Sequence, residues 1–367
     1  MGSTEEPIQL DPEAQQYSPQ IHILGLGNLG KLFSHALARL SPAPRLTILT
    51  HRPGLPYAFA QSGGVLTLKT SGKVVPASGI VIEVIQQAPQ TSTITNLIVC
   101  TKAMGTAGAL QSVAKRLGPN STILFTQNGL GVVDEVNQSV FPDPKTRPNY
   151  LTAIVVHGVY GDGPFGAVHA GLADMKIGHL NNGAPGRSGV HGASYPHEAR
   201  MMLQEVSRAP SLAAQEVSPE ELVFAQLEKL IANACINPLS AIFQVNNGGL
   251  LTNEVVPLRR RLTAEASEVF NKYLKESGLL NEQVKLRFTP SELEKVVLRM
   301  TTQTASNYSS MYQDVKAGRE TEVRYINGWF VNKGREYGID TTVHERVVSL
   351  IQAKEVIDMG DIREHFS

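Results

Sequence analysis

The sequence predicts two unlike halves: an α/β domain built on a doubly wound parallel sheet, followed by an all-helical C-terminal domain. Three observations carry this. A glycine-rich turn, GLGNLG at 25–30, joins a short apolar run to an amphipathic stretch. Further β-type runs then alternate with helical ones, the arrangement that covers a parallel sheet on both faces. From residue 218 onward the periodicity becomes helical and opens on a capping signature.

Taken in order, residues 1–19 are acidic, carry neither the apolar core of a secretory signal nor the arginine-rich character of a transit peptide, and read as a disordered leader. QIHIL and RLTILTHR are the first two strands, on either side of the glycine turn and its helix. Further β-type runs fall at 64–68, 80–84, 96–100 and 122–126, with an alanine-rich helix within 106–117. LTAIVVHGVYG and DMKIGHL supply late strands. Residues 181–217 read as loop and linker, so the sheet domain is expected over 20–217 and the helical domain over 218–367. SPEEL at 218 places a Ser cap, a Pro at the first helical position and a Glu at the third. TPSE at 289 repeats the arrangement with Thr289, Pro290 and Glu292, and its helix is expected to run to Gly318. Helices over 254–277, 323–337 and 343–357 complete the second domain.

Thirty-three basic residues balance thirty-three acidic ones, which removes the overall field that would draw the chain to nucleic acid or an anionic membrane. No 18-residue apolar stretch is available to span a bilayer. Cys100 and Cys235 both lie in apolar segments and read as buried thiols in a reducing compartment, so the cytoplasm is expected. His191 and His197 lie in a glycine-rich stretch without the spacing of metal ligands, and no metal is expected. RRR at 259–261, near Glu254, Glu265 and Glu268, reads as a solvated helix face.

The turn of Gly25, Leu26, Gly27, Asn28, Leu29 and Gly30 fits G-x-G-x-x-G in its required place, after a strand and before a helix. Its glycines suit a tight turn, close approach of a pyrophosphate and helix packing, the marks of a Rossmann-type dinucleotide site. After the second strand an NAD site usually has an acidic residue; here stand His51 and Arg52, and a guanidinium suits the 2′-phosphate of NADP. CTKA at 100–103 and QNGLG at 127–131 follow strands, so Lys102 and Asn128 could border a cofactor or serve turn chemistry alone. In KLIANACINPLSAI at 229–242, Lys229, Asn233 and Asn237 recur every four residues and share one helical face. A solvent-facing stripe and a functional one both suit that pattern, although the apolar neighbours leave little face for solvent. Pro238 is expected to kink the helix or end its regular bonding and to free nearby carbonyls.

These blocks, with NYSSMYQDVKAGRETEVRYINGW at 307–329, resemble the 2-dehydropantoate 2-reductase (ketopantoate reductase) family over most of the chain. The resemblance implies a Rossmann domain holding NADPH, a helical domain closing over it, and reduction of a 2-keto acid in the cleft between them. It further implies Lys229 as the catalytic lysine and general acid, with Glu322 as the active-site glutamate. Asn233, Asn237 and Ser310 would contact substrate, with Asn307 near them. Gly25, Gly27, Gly30, Arg52, Lys102 and Asn128 would contact cofactor. The expected substrate is ketopantoate, reduced to pantoate on the route to pantothenate and coenzyme A, and a homodimer is compatible with the resemblance. Another branched or aromatic 2-keto acid, or a catalytically silent NADP-binding sensor, are the alternatives. Compared with a minimal member, the leader, FPDPKTRPN at 141–149 and residues 181–217 are long, and insertions beside a cleft can alter substrate choice.

Overall fold

The computed structural model describes residues 19–89, 91–180 and 196–366, so the expected leader, apart from Pro19, and the 181–195 stretch with His191 lie outside the described residues. The strands are β1 (Gln20–Leu24), β2 (Arg45–Thr50), β3 (Leu66–Thr70), β4 (Lys73–Ala77), β5 (Ile80–Val84), β6 (Asn96–Val99), β7 (Thr122–Phe125), β8 (Asn149–Ile154), β9 (Gly158–Gly161), β10 (Gly166–Gly171), β11 (Met175–Leu180) and β12 (Ala214–Glu216). Between them lie α1 (Asn28–Ala38), α2 (Leu55–Gln61), α3 (Ala103–Gln111), α4 (Val132–Ser139) and α5 (His197–Ser207).

Eight strands form the main sheet in the order β12-β11-β8-β7-β6-β1-β2-β5. The run from β8 to β5 is parallel, and its central strands β6 and β7 are buried at every residue, as helices on both faces require. At one edge β11 runs antiparallel to β8, which makes the sheet mixed. A second sheet, β4-β3-β10-β9, was not foreseen as a unit. Its centre pairs β3 with β10, segments distant in sequence whose partnership no local pattern announces.

The loop reading of 181–217 is corrected where it is described. α5 occupies 197–207 and buries Ala199, Met202, Leu203 and Val206 at helical spacing, so His197 opens a helix. β12 then pairs with β11 at the sheet's edge.

The helical lobe comprises α6 (Pro219–Ile242), α7 (Val256–Glu276), α8 (Glu282–Arg287), α9 (Pro290–Gln303), α10 (Ser310–Lys316), α11 (Asn327–Tyr337), α12 (Thr342–Ala353) and α13 (Ile362–His365). Its core packs around α6, with Ile231, Ile242, Phe270 and Phe330 fully buried. Ser218 Oγ accepts the Glu221 amide at 3.2 Å, the expected cap. Thr289, in contrast, makes no such cap, and its hydroxyl donates to Leu286 O instead. The helix that begins there stops at Gln303 rather than Gly318; a separate α10 follows, capped by Ser309, and Gly318 at φ +68° lies just beyond α10.

α6 continues through Pro238 to Ile242, so the proline does not end the helix, but the regular bond to Ala234 O is lost there as expected. The freed carbonyl finds a donor on another helix. Pro238 cannot donate to Ala234 O, and Asn327 Nδ2 does so at 3.0 Å from α11. His344 holds that amide in turn: its Nε2 donates to Leu262 O, leaving Nδ1 to accept from Asn327. In the RRR segment Arg260 and Arg261 are exposed as expected, whereas Arg259 is buried and paired with Glu294 at 3.1 Å. Cys100 and Cys235 are buried free thiols, and burial pushes both up to about 12.

Candidate active site

A cavity of about 680 Å³ opens between the two lobes. At one end lies the glycine turn. Gly25 has φ +101°, and a side chain there would meet the Cys100 carbonyl at 3.2 Å. A Cβ on Gly30 would sit 2.0 Å from Gly25 O, so the turn and α1 pack in direct backbone contact. Gly27, Asn28 and Leu29 line the cavity, while Leu26 packs against the sheet core. Space that a side chain would fill, at the head of an 11-residue helix with unspent amides, fits a dinucleotide pyrophosphate. Arg52 lies just past the carboxyl end of β2, exposed and outside the cavity lining.

Lys229, Asn233 and Asn237 all line this cavity, so their stripe faces the interlobe space rather than bulk solvent. Lys229 Nζ donates to Val155 O at 2.6 Å, just beyond β8, and to Asn128 Oδ1 at 2.9 Å. Asn128 Nδ2 then donates to Glu322 Oε2 at 3.2 Å, and Glu322 Oε1 accepts the Ala103 amide at 3.1 Å. Glu322 therefore reaches the lysine through Asn128, and it also supplies the cap that α3 lacks in its own sequence. Burial lowers Lys229 from 10.5 to about 8, with the Glu322 charge opposing that fall. Its side chain is only half-buried by surface, because one part faces the cavity, yet protein surrounds it closely enough for desolvation to win.

Asn237 is buried and Asn233 half-buried; neither side chain has a hydrogen-bond partner among the described residues, which leaves both amides available to a ligand. The two serines of SSM divide: Ser309 is buried, caps α10 and accepts from Ser240 Oγ at 2.7 Å, whereas Ser310 lines the cavity with Asn307. Lys102 also lies there, but it is paired with Asp314 of α10 at 2.5 Å. Asn128 and Lys102 thus bridge the lobes in this structure, beyond the cofactor contacts expected of them.

Sequence reasoning missed Asn247, Met300, Thr304, Tyr308 and Asp314, all on the cavity wall. Met300 and Thr304 are one turn apart at the end of α9, and Asn247 Nδ2 donates to Thr304 Oγ1 at 2.9 Å. Tyr308 and Asp314 lie within the 307–329 block already singled out, and the NNGG run after α6 was the signal for Asn247. A smaller interlobe cavity of about 170 Å³, lined by Leu130, Tyr273 and Trp329, contains none of the expected site residues. Among the described residues no group of His, Cys, Asp or Glu could hold a metal, and no helix is long and apolar enough to cross a membrane.

A glycine cradle at the head of a parallel sheet, facing across a cavity an amine held on a helical lobe, defines a two-domain oxidoreductase. Known proteins agree. The family model described as ketopantoate reductase PanE/ApbA matches residues 21–182, and its C-terminal counterpart matches 222–355. The chain belongs to the ketopantoate reductase family, oxidoreductases acting on a CH–OH group. It is 30% identical over 340 residues to the probable 2-dehydropantoate 2-reductase of Schizosaccharomyces pombe, covering 91% of this chain and 96% of that one. It is 27% identical over 418 residues to the ketoisovalerate reductase BEA2 of Gibberella fujikuroi, covering 99% and 90%. Among solved structures, a probable 2-dehydropantoate 2-reductase from Bacillus subtilis superposes with TM-score 0.66 at 25% identity, covering 92% of this chain and all of that one. D-mandelate dehydrogenase with NADH and anilino(oxo)acetate gives 0.71 at 20% identity, covering 91% and 97%.

Proposed function

We propose that this chain uses NADPH to reduce 2-dehydropantoate (ketopantoate) to (R)-pantoate, the step that feeds pantothenate and coenzyme A synthesis. In this reading the lobe of residues 20–217 holds the cofactor and that of 218–367 holds the keto acid. One observation carries it: the Lys229 ammonium is fixed by Val155 O and Asn128 Oδ1 inside the cavity that also contains the glycine turn. Reduced nicotinamide, when bound, supplies the hydride.

Gly25, Gly27 and Gly30, with the amides of Asn28 and Leu29, would hold the pyrophosphate, and Arg52 would take the 2′-phosphate. Lys229 donates a proton to the carbonyl oxygen as negative charge gathers there. Asn128 aims the amine, and Glu322 favours its charged form through Asn128. Asn233 and Asn237 orient the substrate's oxygens without adding charge, while Ser310 and Asn307 receive its carboxylate.

The test is NADPH consumption across a panel of 2-keto acids, repeated with NADH. Ketopantoate should give the highest kcat/KM. NADPH binding without turnover of any keto acid would overturn the proposal in favour of a silent sensor. A second reading, reduction of ketoisovalerate, is supported by the likeness to ketoisovalerate reductases and by the apolar Ile236 and Met300 on the cavity wall. Ketoisovalerate lacks the hydroxyl of ketopantoate, so the same panel separates the two.

A further inference from the structure

One buried charge plays no part in the chemistry above. Lys31, in the first turn of α1, is 6% exposed. A cation there opposes the helix dipole and loses its hydration, so the fold must compensate it locally. The compensation is specific: Nζ donates at 2.7 Å to Gly163 O, in the turn between β9 and β10, and at 2.8 Å to Gly166 O, where β10 begins. Gly166 O also accepts the Asp162 amide at 3.0 Å, so the lysine grips a turn that is already closed. One helical turn further on, His35 donates through Nε2 to Val75 O at 2.9 Å. Lys31 and His35 share a face of α1 and bind the two sides of the second sheet, β9–β10 and β4.

The same hairpin meets the glycine turn. Asn28 Nδ2 donates to Val159 O at 3.3 Å, and a Cβ on Gly161 would lie 3.4 Å from Asn28 Oδ1. Val159 and Gly161 line the cavity with Gly27 and Asn28. A lysine directly after a glycine turn can serve as a phosphate ligand in other nucleotide folds. Here its amine is committed to backbone carbonyls instead.

We propose that Lys31 is a positioning residue for the cofactor: by anchoring the β9–β10 turn to α1, it holds Val159–Gly161 as the outer wall of the dinucleotide cleft beside the pyrophosphate cradle. This rests on the NADPH reading above. Lys31→Met keeps the length and removes the donor. By calorimetry its NADPH Kd should rise about tenfold, equivalent to about 1.4 kcal/mol, while kcat and keto acid KM at saturating NADPH stay unchanged. In the ligand-free protein, amide exchange over residues 159–166 should quicken, with β1 and β6 unaffected. Gly161→Leu, which leaves the lysine intact and intrudes on the exposed wall, should weaken NADPH in the same way and guards against misfolding of the first variant. Faster exchange with unchanged NADPH affinity would overturn the wall, and unchanged exchange would overturn the anchor. If the unmodified protein failed to bind NADPH, the functional reading would fall, whereas the exchange measurement would still decide the anchor.

Discussion

The acid assigned to Lys229 makes the pH profile the most exposed part of the scheme. Burial lowers that amine to about 8 in the ligand-free protein. For reduction the ammonium is the active form, so kcat/KM should be level below about pH 7 and fall tenfold per unit above about 8. About a tenth of the pH 7 value should remain at pH 9 and about a hundredth at pH 10. An unperturbed lysine would retain about 95% of its charge at pH 9. Oxidation of the 2-hydroxy acid needs the neutral amine as base, so that direction should rise through the same region. Glu322→Gln removes the charge that opposes burial and should move the limb to lower pH. The assay is the initial rate of absorbance loss of reduced nicotinamide at limiting keto acid, across buffers of equal ionic strength. A profile level to pH 10, or a limb that Glu322→Gln leaves in place, would refute the link between burial, Asn128 and acid strength.

Lys229→Ala should lower kcat by about 10² to 10⁴-fold while leaving NADPH Kd unchanged by calorimetry. Arg52→Ala should remove most of any preference for NADPH over NADH, read as the ratio of the two kcat/KM values. Gly30→Ala would place a Cβ 2.0 Å from Gly25 O and force the turn apart, so NADPH Kd should rise by about tenfold or more. Asn327→Leu leaves Ala234 O without its donor and should cost about 1 to 3 kcal/mol in urea unfolding.

The parts of the fold that were legible are those fixed by local chemistry. The glycine turn sits where one strand must turn back into a helix, Ile80–Val84 has the predicted bounds, and Ser218 caps α6 because its side chain and the following Pro and Glu make a self-contained start. The stripe on α6 was legible as a pattern, but its direction was not. Whether Lys229 meets solvent or a cavity depends on Val155 and Asn128, which come from the other lobe. Pro238 frees a carbonyl as expected, but the donor that takes it lies on α11 and no local pattern announces it. The second sheet was unreadable for the same reason: Thr67 pairs with Gly166, a partner far away in sequence. α5 is different, since its apolar spacing was present and was obscured by the glycine-rich run before it.

Glu322 follows the helix it caps by 219 positions. At translation speeds of 5–20 residues per second, roughly 10 to 40 s separate the emergence of Ala103 from that of its partner carboxylate. A nascent N-terminal lobe must therefore wait on the ribosome with the start of α3 hydrated and the interlobe cavity open on one side. Only when the C-terminal lobe has emerged do Glu322 and Lys229 meet their partners on the first lobe and close that cavity.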